Sequence, residues 1–539
     1  MVPGGLRIDG RSTPAARDAT IFRLAAAIGV HVPTSCREQG KCRECLVEVE
    51  RGGDLLSPPT DREAHLREGF RLSCQTRLVG EGGEVRCHTL RRGAMRIEDG
   101  SSGLAPALCG DEQPLWKRSG GSFLRRGATA PLEVAAPWGL AIDLGTTTVV
   151  ISLVDLETGR ALATRSFENP QRFGGSDIMA RISYDGDHPG RLLQRVLLGY
   201  LRRAIEELPG EPASIVEIAI AGNPTMRDLL LGLDVHSLGQ LPYRSVTEHE
   251  LERGERATTS VEIPASRLRL PVDPRAAVYA LPVLGSHVGA DAAACLLASG
   301  LADNDDIVMV MDIGTNTEVL LGNRERVLVA SCPAGPAFEG GGVSCGVPGL
   351  EGAIERVRIS AGRFAARVIG DGAPIGVCGS GLVDLLAELR RTGLMNAQGR
   401  YDDADSFTLD ERHSIELTER DVNELAQAKG ANAAGALIVA DRYGIELADV
   451  DRFVLAGGFG RHVDVAAARR IGLIPDLPDE KIVQVGNASL AGASMALVSA
   501  TARERVERLA REVEHVELEL HPRFFDYFVD GCQFEPFGR

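Results

Sequence analysis

The chain has 539 residues, 44% of them apolar, and a formal net charge of −16. That length is enough for two to four domains with buried cores. The negative balance argues against nucleic acid or an anionic membrane as the main partner, because phosphate binding needs clustered Lys and Arg. No apolar run approaches the ~18 residues of a membrane span, and the opening Met1-Val-Pro-Gly-Gly-Leu-Arg7 lacks the apolar centre of a signal peptide. A cytoplasmic location is expected.

Residues 1–90 read as a small electron-carrier module. Leu6 to Ile8 begins a strand, Ile21 to Ile28 a helix closed by Gly29, and Leu46 to Val49 a second strand; Asp61 to Leu66 is a short helical stretch. Between and after these lie Cys36, Cys42, Cys45 and Cys74, with five, two and 28 intervening residues. Three close cysteines and one distant one match the spacing of a 2Fe–2S ferredoxin, and the small sheet, helix and long loop suit a β-grasp fold. Gly40 permits the close approach that lets backbone N–H groups face the sulfurs, and Leu46, Val47 and Leu72 can shield them from water. Zinc is the alternative for four thiolates, but zinc sites favour two close pairs. The other seven of the 11 cysteines, Cys87, Cys109, Cys295, Cys332, Cys345, Cys378 and Cys532, show no metal-like pairing and are expected as buried packing.

Residues 91–137, rich in Gly, Ser, Arg and Pro, are expected to be a linker, a tether with one short helix near Glu112 to Lys117. From Trp138 onward the chain reads as a nucleotide-binding unit. The apolar run Trp138 to Ile142 leads into Asp143-Leu-Gly-Thr-Thr-Thr148, and Ile307 to Met311 leads into Asp312-Ile-Gly-Thr-Asn-Thr-Glu318. Each copy reads as strand, tight turn, strand, and two copies about 170 residues apart indicate an internal duplication. Asp143 at the strand end can hold a metal through water. Gly145, Thr146, Thr147 and Thr148, with Gly314, Thr315, Asn316 and Thr317, can cradle phosphate through hydroxyl and N–H groups. A third element, Phe453 to Gly460, ends in Gly457 and Gly458, where backbone can lie flat against a nucleoside.

Further small-residue turns occur at Gly222-Asn223, Gly285 to Asp291, Gly335 to Gly342, Gly379 to Gly381 and Gly486-Asn487. The turn at Pro333 to Gly342 can contact a nucleotide and the N–H groups at Gly379 to Gly381 can accept an anion, with close helix–strand packing the alternative for each; packing is the simpler expectation for Gly222 and Gly289. His287 and Asp291 are weighed as catalytic or metal-bearing. Glu514 to Phe537 alternates and is aromatic-rich, which predicts a closing strand pair.

The three glycine- and threonine-rich elements, in this order, resemble those of the actin-like ATPase superfamily, and no P-loop is present. The fold class implied is α/β multidomain: a β-grasp 2Fe–2S ferredoxin domain at 1–90, then a duplicated actin-like (ribonuclease H-like) ATPase domain at 138–539, with subdomains at about 138–305 and 306–539. With the cysteine loop, the segments Gly222-Asn-Pro-Thr-Met226, Asp312 to Glu318, Cys332 to Gly340 and Leu455 to Gly460 resemble those of the reductive activators of corrinoid proteins. Two departures stand out: the region between ferredoxin and ATPase is short for a further middle domain, and Arg227 stands where a His is expected. The resemblance implies ATP-dependent one-electron reduction of a corrinoid protein from Co(II) to Co(I), serving a methyltransferase. It implies a 2Fe–2S cluster, ATP and Mg2+ as cofactors, with Asp143 and Asp312 as the catalytic residues that position the metal and the attacking water, and an upstream low-potential electron donor. The oligomeric state stays open, a homodimer among the options. Competing readings are a redox-regulated small-metabolite kinase, a redox-sensing ATP-binding chaperone, and a radical-dehydratase activator; the separate N-terminal position of the cysteines argues against the last.

Overall fold

The computed structural model describes every residue except 1–4, 15–17, 81, 91–112, 135, 361–362, 403, 411, 459 and 539. Cys109 and the first part of the expected linker therefore lie outside the described residues.

Strands β1 (Gly5–Ile8), β2 (Arg11–Pro14), β3 (Leu46–Arg51), β4 (Phe70–Leu72) and β5 (Glu84–Thr89) form one sheet in the order β2-β1-β5-β3-β4. Helix α1 (Ile21–Ala27) starts where the Thr20 side chain accepts the Arg23 N–H and stops at Gly29, whose φ of 71° is left-handed. Only Asp61–Glu63 of the expected second helix forms, as a 3-10 turn held by a Thr60–Glu63 capping box.

No helix forms at 113–119. A hairpin of β6 (Trp116–Ser119) and β7 (Ser122–Arg125) stands there instead, and it is anchored, not free. Its Arg125 grips the fully buried Glu217 at 2.8 and 3.0 Å, Arg503 binds the same carboxylate at 2.8 Å, and the Trp116 indole donates to it at 3.3 Å. Two guanidiniums and an indole offset the cost of burying that charge.

The first lobe is a six-stranded sheet of β8 (Trp138–Leu144), β9 (Thr148–Asp155), β10 (Ala161–Glu168), β11 (Ile215–Gly222), β12 (Val261–Pro264) and β13 (Ala277–Ala280), in the order β10-β9-β8-β11-β13-β12. Its helices are α2 (Ile178–Asp187), α3 (Leu192–Glu206), α4 (Pro224–Leu231), α5 (Val246–Glu252) and α6 (Ala290–Ser299). In the second lobe, β14 (Val308–Ile313), β15 (Thr317–Gly322) and β16 (Val327–Cys332) repeat the antiparallel meander of β8, β9 and β10. Strands β17 (Ala353–Ser360), β18 (Arg363–Val368) and β19 (Gly376–Val377) make a small side sheet leading to α7 (Gly379–Thr392). A hairpin, β20 (Ser406–Asp410) with β21 (Ile415–Thr418), precedes the long α8 (Glu419–Tyr443). Then β22 (Arg452–Ala456), α9 (Val465–Arg470) and β23 (Ile482–Gln484) complete the repeat. Both β22 and β23 run parallel to β14, as β11 and β13 run parallel to β8. The matching order β23-β22-β14-β15-β16 bears out the duplication read from the two loops.

Two alanine-rich helices, α6 and α10 (Ala488–Val498), lie back to back between the lobes. A Cβ at Gly492 would stand 2.1 Å from the Ala294 carbonyl oxygen, so only glycine allows this approach. Their core is shared with β8, β11 and β14, which makes the lobe junction a dry, close-packed layer. The chain closes with α11 (Ala500–Glu512), a two-residue strand β24 (Glu514–His515) and helix α12 (Phe524–Gly531). The aromatic tail is thus mostly a helix, not a strand pair: Phe524 and Phe528, one turn apart, stack with centroids 6.2 Å apart.

The ferredoxin module sits directly on the first lobe. The Leu90 N–H donates to Tyr200 on α3 at 3.1 Å, Arg172 pairs with Glu48, and ferredoxin and lobe residues share one apolar core.

Candidate functional site

Cys42, Cys45 and Cys74 are buried and Cys36 is half-buried, with the loop around them shaped by left-handed residues: Arg37, Glu38, Gly40 and Arg43 have φ between 51° and 68°. Leu46, Val47 and Leu72 are fully buried beside them, as expected. Burial alone would raise the Cys36 thiol, but N–H groups of Cys42, Lys41 and Gln39 directed at its sulfur bring it below the ordinary thiol range. A hydrogen bond from Cys45, aided by the Gln75 amide at 3.2 Å and the Gly40 N–H, holds Cys74 at about 6; the same bond pushes Cys45 upward. Sulfurs met by backbone and amide donors fit an anionic iron–sulfur cluster. Zinc sites favour two close pairs of thiolates, whereas here three cysteines lie on one loop and the fourth, Cys74, follows β4. Cys87 lies fully buried in β5 and is packing.

Between the lobes lies a cleft of about 370 Å³, within the range of small-molecule sites. Asp143, Gly145, Thr146, Thr147 and Thr148 face it from one side, and Asp312, Gly314, Thr315 and Asn316 from the other, with Gly457 and Gly458 at the edge. Thr317 does not face it: the side chain is fully buried and its Oγ1 has no hydrogen-bond partner. The first turn leaves four residues between the paired Leu144 and Val149, whereas the second leaves three between Ile313 and Thr317, so Thr317 is already paired in the sheet. Gly145 is required by its own turn, since a Cβ there would lie 2.6 Å from the Thr148 carbonyl oxygen. Gly457, at φ 110°, packs on the second loop, where a Cβ would come 2.4 Å from the Ile313 oxygen. Phe459 beyond it is outside the described residues.

The two loops touch. The Thr147 and Thr315 hydroxyls hydrogen-bond at 2.8 Å, and Thr315 donates onward to Glu339. Glu339, in the glycine-rich segment after β16, was legible only as part of a turn; its carboxylate was not singled out. The first loop is braced from behind: Asn169 donates to the Gly145 carbonyl at 2.8 Å and Asn223 to the Thr146 hydroxyl at 2.9 Å. Asn223 also caps α4, and a Cβ at Gly289 would stand 2.5 Å from the Asn223 Cα, so Gly222 and Gly289 serve packing, as expected. Arg227 is fully buried, bonded to Asp228, Thr247 and the Thr259 carbonyl. His287 packs at a tilt of 39° against Tyr243, with centroids 5.1 Å apart, and does not face the cleft.

Each strand-end aspartate is held by a helix from the opposite lobe. Asp143 accepts from Asn487 at 2.6 Å and Ser489 at 2.9 Å, at the start of α10; Asp312 accepts from the Cys295 thiol on α6 at 2.8 Å. Ser489 and Cys295 carry no sequence signal, because their role exists only once the helices cross. Desolvation, reinforced by Asp143 and Glu339, raises Asp312 to about 6. Desolvation, with Asp143 and Asp312 nearby, raises Asp291 to about 7, and Asp143 rises as well. Mg2+ normally keeps several waters and takes one or two carboxylates plus phosphate oxygens, and Asp143 and Asp312 facing one cleft fit that pattern.

Comparison with known proteins bears on the whole chain. A 2Fe-2S iron-sulfur cluster binding domain matches residues 6–79. The RACo middle region matches 138–304, and the C-terminal domain of RACo, the ASKHA domain, matches 306–537. A corrinoid activation enzyme, RamQ, of Eubacterium limosum is 31% identical over 428 residues, 74% of this chain and 70% of that one. The chain belongs to the family of corrinoid reductive activators. A further family member, a Co(II) methylated amine-specific corrinoid protein reductase of Methanosarcina barkeri, is 25% identical over 421 residues, 73% of this chain and 76% of that one. A solved structure described as a reductive activator for corrinoid, iron-sulfur protein superposes with a TM-score of 0.71 at 27% identity, covering 99% of this chain and 98% of the other. The middle region that seemed absent from the sequence is therefore present as residues 138–304.

Proposed function

We propose that this protein reactivates a corrinoid protein by delivering one electron to Co(II), in an ATP-dependent manner, and that it works in the cytoplasm. The observation that carries the reading is the seating of a four-cysteine ferredoxin module on a two-lobed cleft whose facing loops supply hydroxyls and carboxylates, in a chain of this family. When bound, a 2Fe–2S cluster would supply single-electron transfer, and ATP with Mg2+ would supply binding energy and a hydrolysable phosphate. Cys36, Cys42, Cys45 and Cys74 would hold the first; Thr146, Thr147, Thr148, Thr315 and Asn316 would meet phosphate, and Asp143 and Asp312 the metal ion and its waters.

Reduction of Co(II) to Co(I) is uphill for an ordinary ferredoxin, and about 59 mV costs tenfold in equilibrium for one electron. Nucleotide helps only by binding two states unequally. The Thr147–Thr315 bond offers a local means. Thr147 now donates to Thr315 and Thr315 to Glu339, so both hydroxyls must turn outward to donate to phosphate, which loosens the contact between the two loops. The crossed helices α6 and α10 carry that change between lobes. No helix among the described residues is long and apolar enough to cross a membrane, and the donor, the corrinoid partner and any homodimer remain part of the proposal. The test mixes purified protein, a low-potential reductant, ATP and a Co(II)-loaded corrinoid protein, and follows the Co(I) spectrum. Co(I) yield indifferent to ATP with the cysteines intact would sink the reading.

A further inference from the structure

The charge of the chain is unevenly placed. Residues 1–90 carry 13 Lys and Arg against 12 Asp and Glu, a net +1, so the rest carries −17. Within the small module the cations gather at the cysteine loop. Arg37, Lys41, Arg43 and Arg62 are exposed, and none makes an ion pair with the described residues. Arg62 stands outside the loop in sequence but lies on it in space, donating to the Gln39 carbonyl beside Gly40. The acids in the loop are already engaged: Glu38 pairs with Arg23 at 2.9 Å, and Glu44 accepts from Ser35 at 2.9 Å and faces Arg195 at 3.9 Å. Asp61, next to Arg62, is the nearby exposed acid without an ion pair. Cys36, the least buried of the four cysteines, comes to the surface beside Arg37.

We propose that this rim, formed by Arg37, Lys41, Arg43 and Arg62, is the docking surface for an acidic one-electron carrier protein that reduces this chain. The inference rests on the reading that the four cysteines hold an electron-transfer cluster. A single electron passes from the reduced centre of the carrier to that cluster; the carrier is oxidised by one electron, the cluster reduced by one, and no proton or bond moves. The placement favours a donor over the corrinoid acceptor. A partner that senses nucleotide must also touch the lobes, which are acidic, whereas a donor needs only the module. An acidic donor is repelled by the lobes and drawn to the rim, so the field selects both the partner and its orientation.

The test uses the full-length cluster-loaded protein and, as probe, a small acidic bacterial ferredoxin reduced beforehand. Bleaching of the cluster is followed by stopped flow at several ionic strengths, and complex formation is measured separately by titration calorimetry with oxidised probe. The second-order rate and the affinity are expected to fall about tenfold or more from low to high salt. The double change Arg37→Glu, Lys41→Glu is expected to lower both to a similar extent at low salt and to flatten the salt dependence. Because these positions flank ligands, a variant that loses the visible cluster spectrum is replaced by Arg62→Glu, which lies outside the ligand loop. A rate and affinity unmoved by salt and by charge reversal overturn the proposal. So does a variant with unchanged donor kinetics but weakened binding to a Co(II) corrinoid protein, which assigns the rim to the acceptor. Neither readout involves Co(I), so failure here is separate from failure of the reactivation function.

Discussion

The two phosphate loops share one sequence pattern and differ in what surrounds them. Asp143 is held by an amide and a hydroxyl from α10, while Asp312 is held by a single thiol from α6 and sits among more acids. Thr148 faces the cleft and its counterpart Thr317 is sealed into the sheet. Duplication therefore conserved the strand–turn–strand pattern, while the second turn is one residue shorter and each copy finds different partners. The first loop is braced by side chains, Asn169, Asn223, Asn487 and Ser489; the second rests on the Cys295 thiol, on Glu339 and on the Gly335 N–H, which donates to the Thr315 carbonyl at 2.8 Å.

The largest expected effect tests whether both aspartates matter. Asp312→Ala and Asp143→Ala should each lower ATP turnover about 100-fold or more, as for loss of a preorganised charged group, and remove the ATP dependence of Co(I) formation. Phosphate release measures the first and the Co(I) spectrum the second. By contrast Cys42→Ser should abolish Co(I) formation while leaving nucleotide affinity intact, which separates module from cleft. One order lower, Asn487→Ala and Cys295→Ala remove the groups that orient the two carboxylates and should cost about 10- to 100-fold in metal affinity. The loss should be smaller for Asn487→Ala, since Ser489 still holds Asp143. Equal losses would contradict the difference in bracing.

A pH effect follows from Asp312 at about 6 and Asp291 at about 7. Each is protonated below its value, so metal binding and turnover should rise between pH 5 and about pH 7. Stability moves the opposite way: a carboxyl raised in the folded state stabilises it at low pH, and that contribution is lost as pH rises through 6 to 7. Magnesium titrations and thermal melts over this window check the two signs. The smallest expected effect is at Thr317→Val, which replaces an unpaired buried hydroxyl by a methyl and should change stability by less than about 1 kcal/mol with turnover unchanged. Thr148→Val should weaken nucleotide binding measurably; similar behaviour of the two variants would erase the distinction between the loops.

Local sequence was sufficient for whatever depends on local chemistry. The cysteine spacing, the paired Asp-x-Gly-Thr turns after apolar strands, and the Gly29 stop of α1 were legible because turn geometry and thiolate spacing are short-range properties. Two readings failed for opposite reasons. Trp116 to Lys117 looked helical and pairs as a strand because Glu217 and Arg503, far away in sequence, fix the hairpin. The alternating aromatics of the tail suggested a strand, yet Phe524 and Phe528 also satisfy helical spacing, and packing on α8 chose between them. The expected tether likewise underestimated how firmly the module is seated through Tyr200 and Arg172.

By itself, the sequence determined that the chain holds four cysteines at cluster spacing and two Asp-x-Gly-Thr turns after apolar strands, because both follow from residues near one another. Only tertiary structure decided which threonine reaches the cleft, that Glu339 stands at the junction of the loops, and that α6 and α10 exchange lobes to hold the aspartates. Those outcomes depend on which surfaces become buried together, and burial is a property of the whole folded chain.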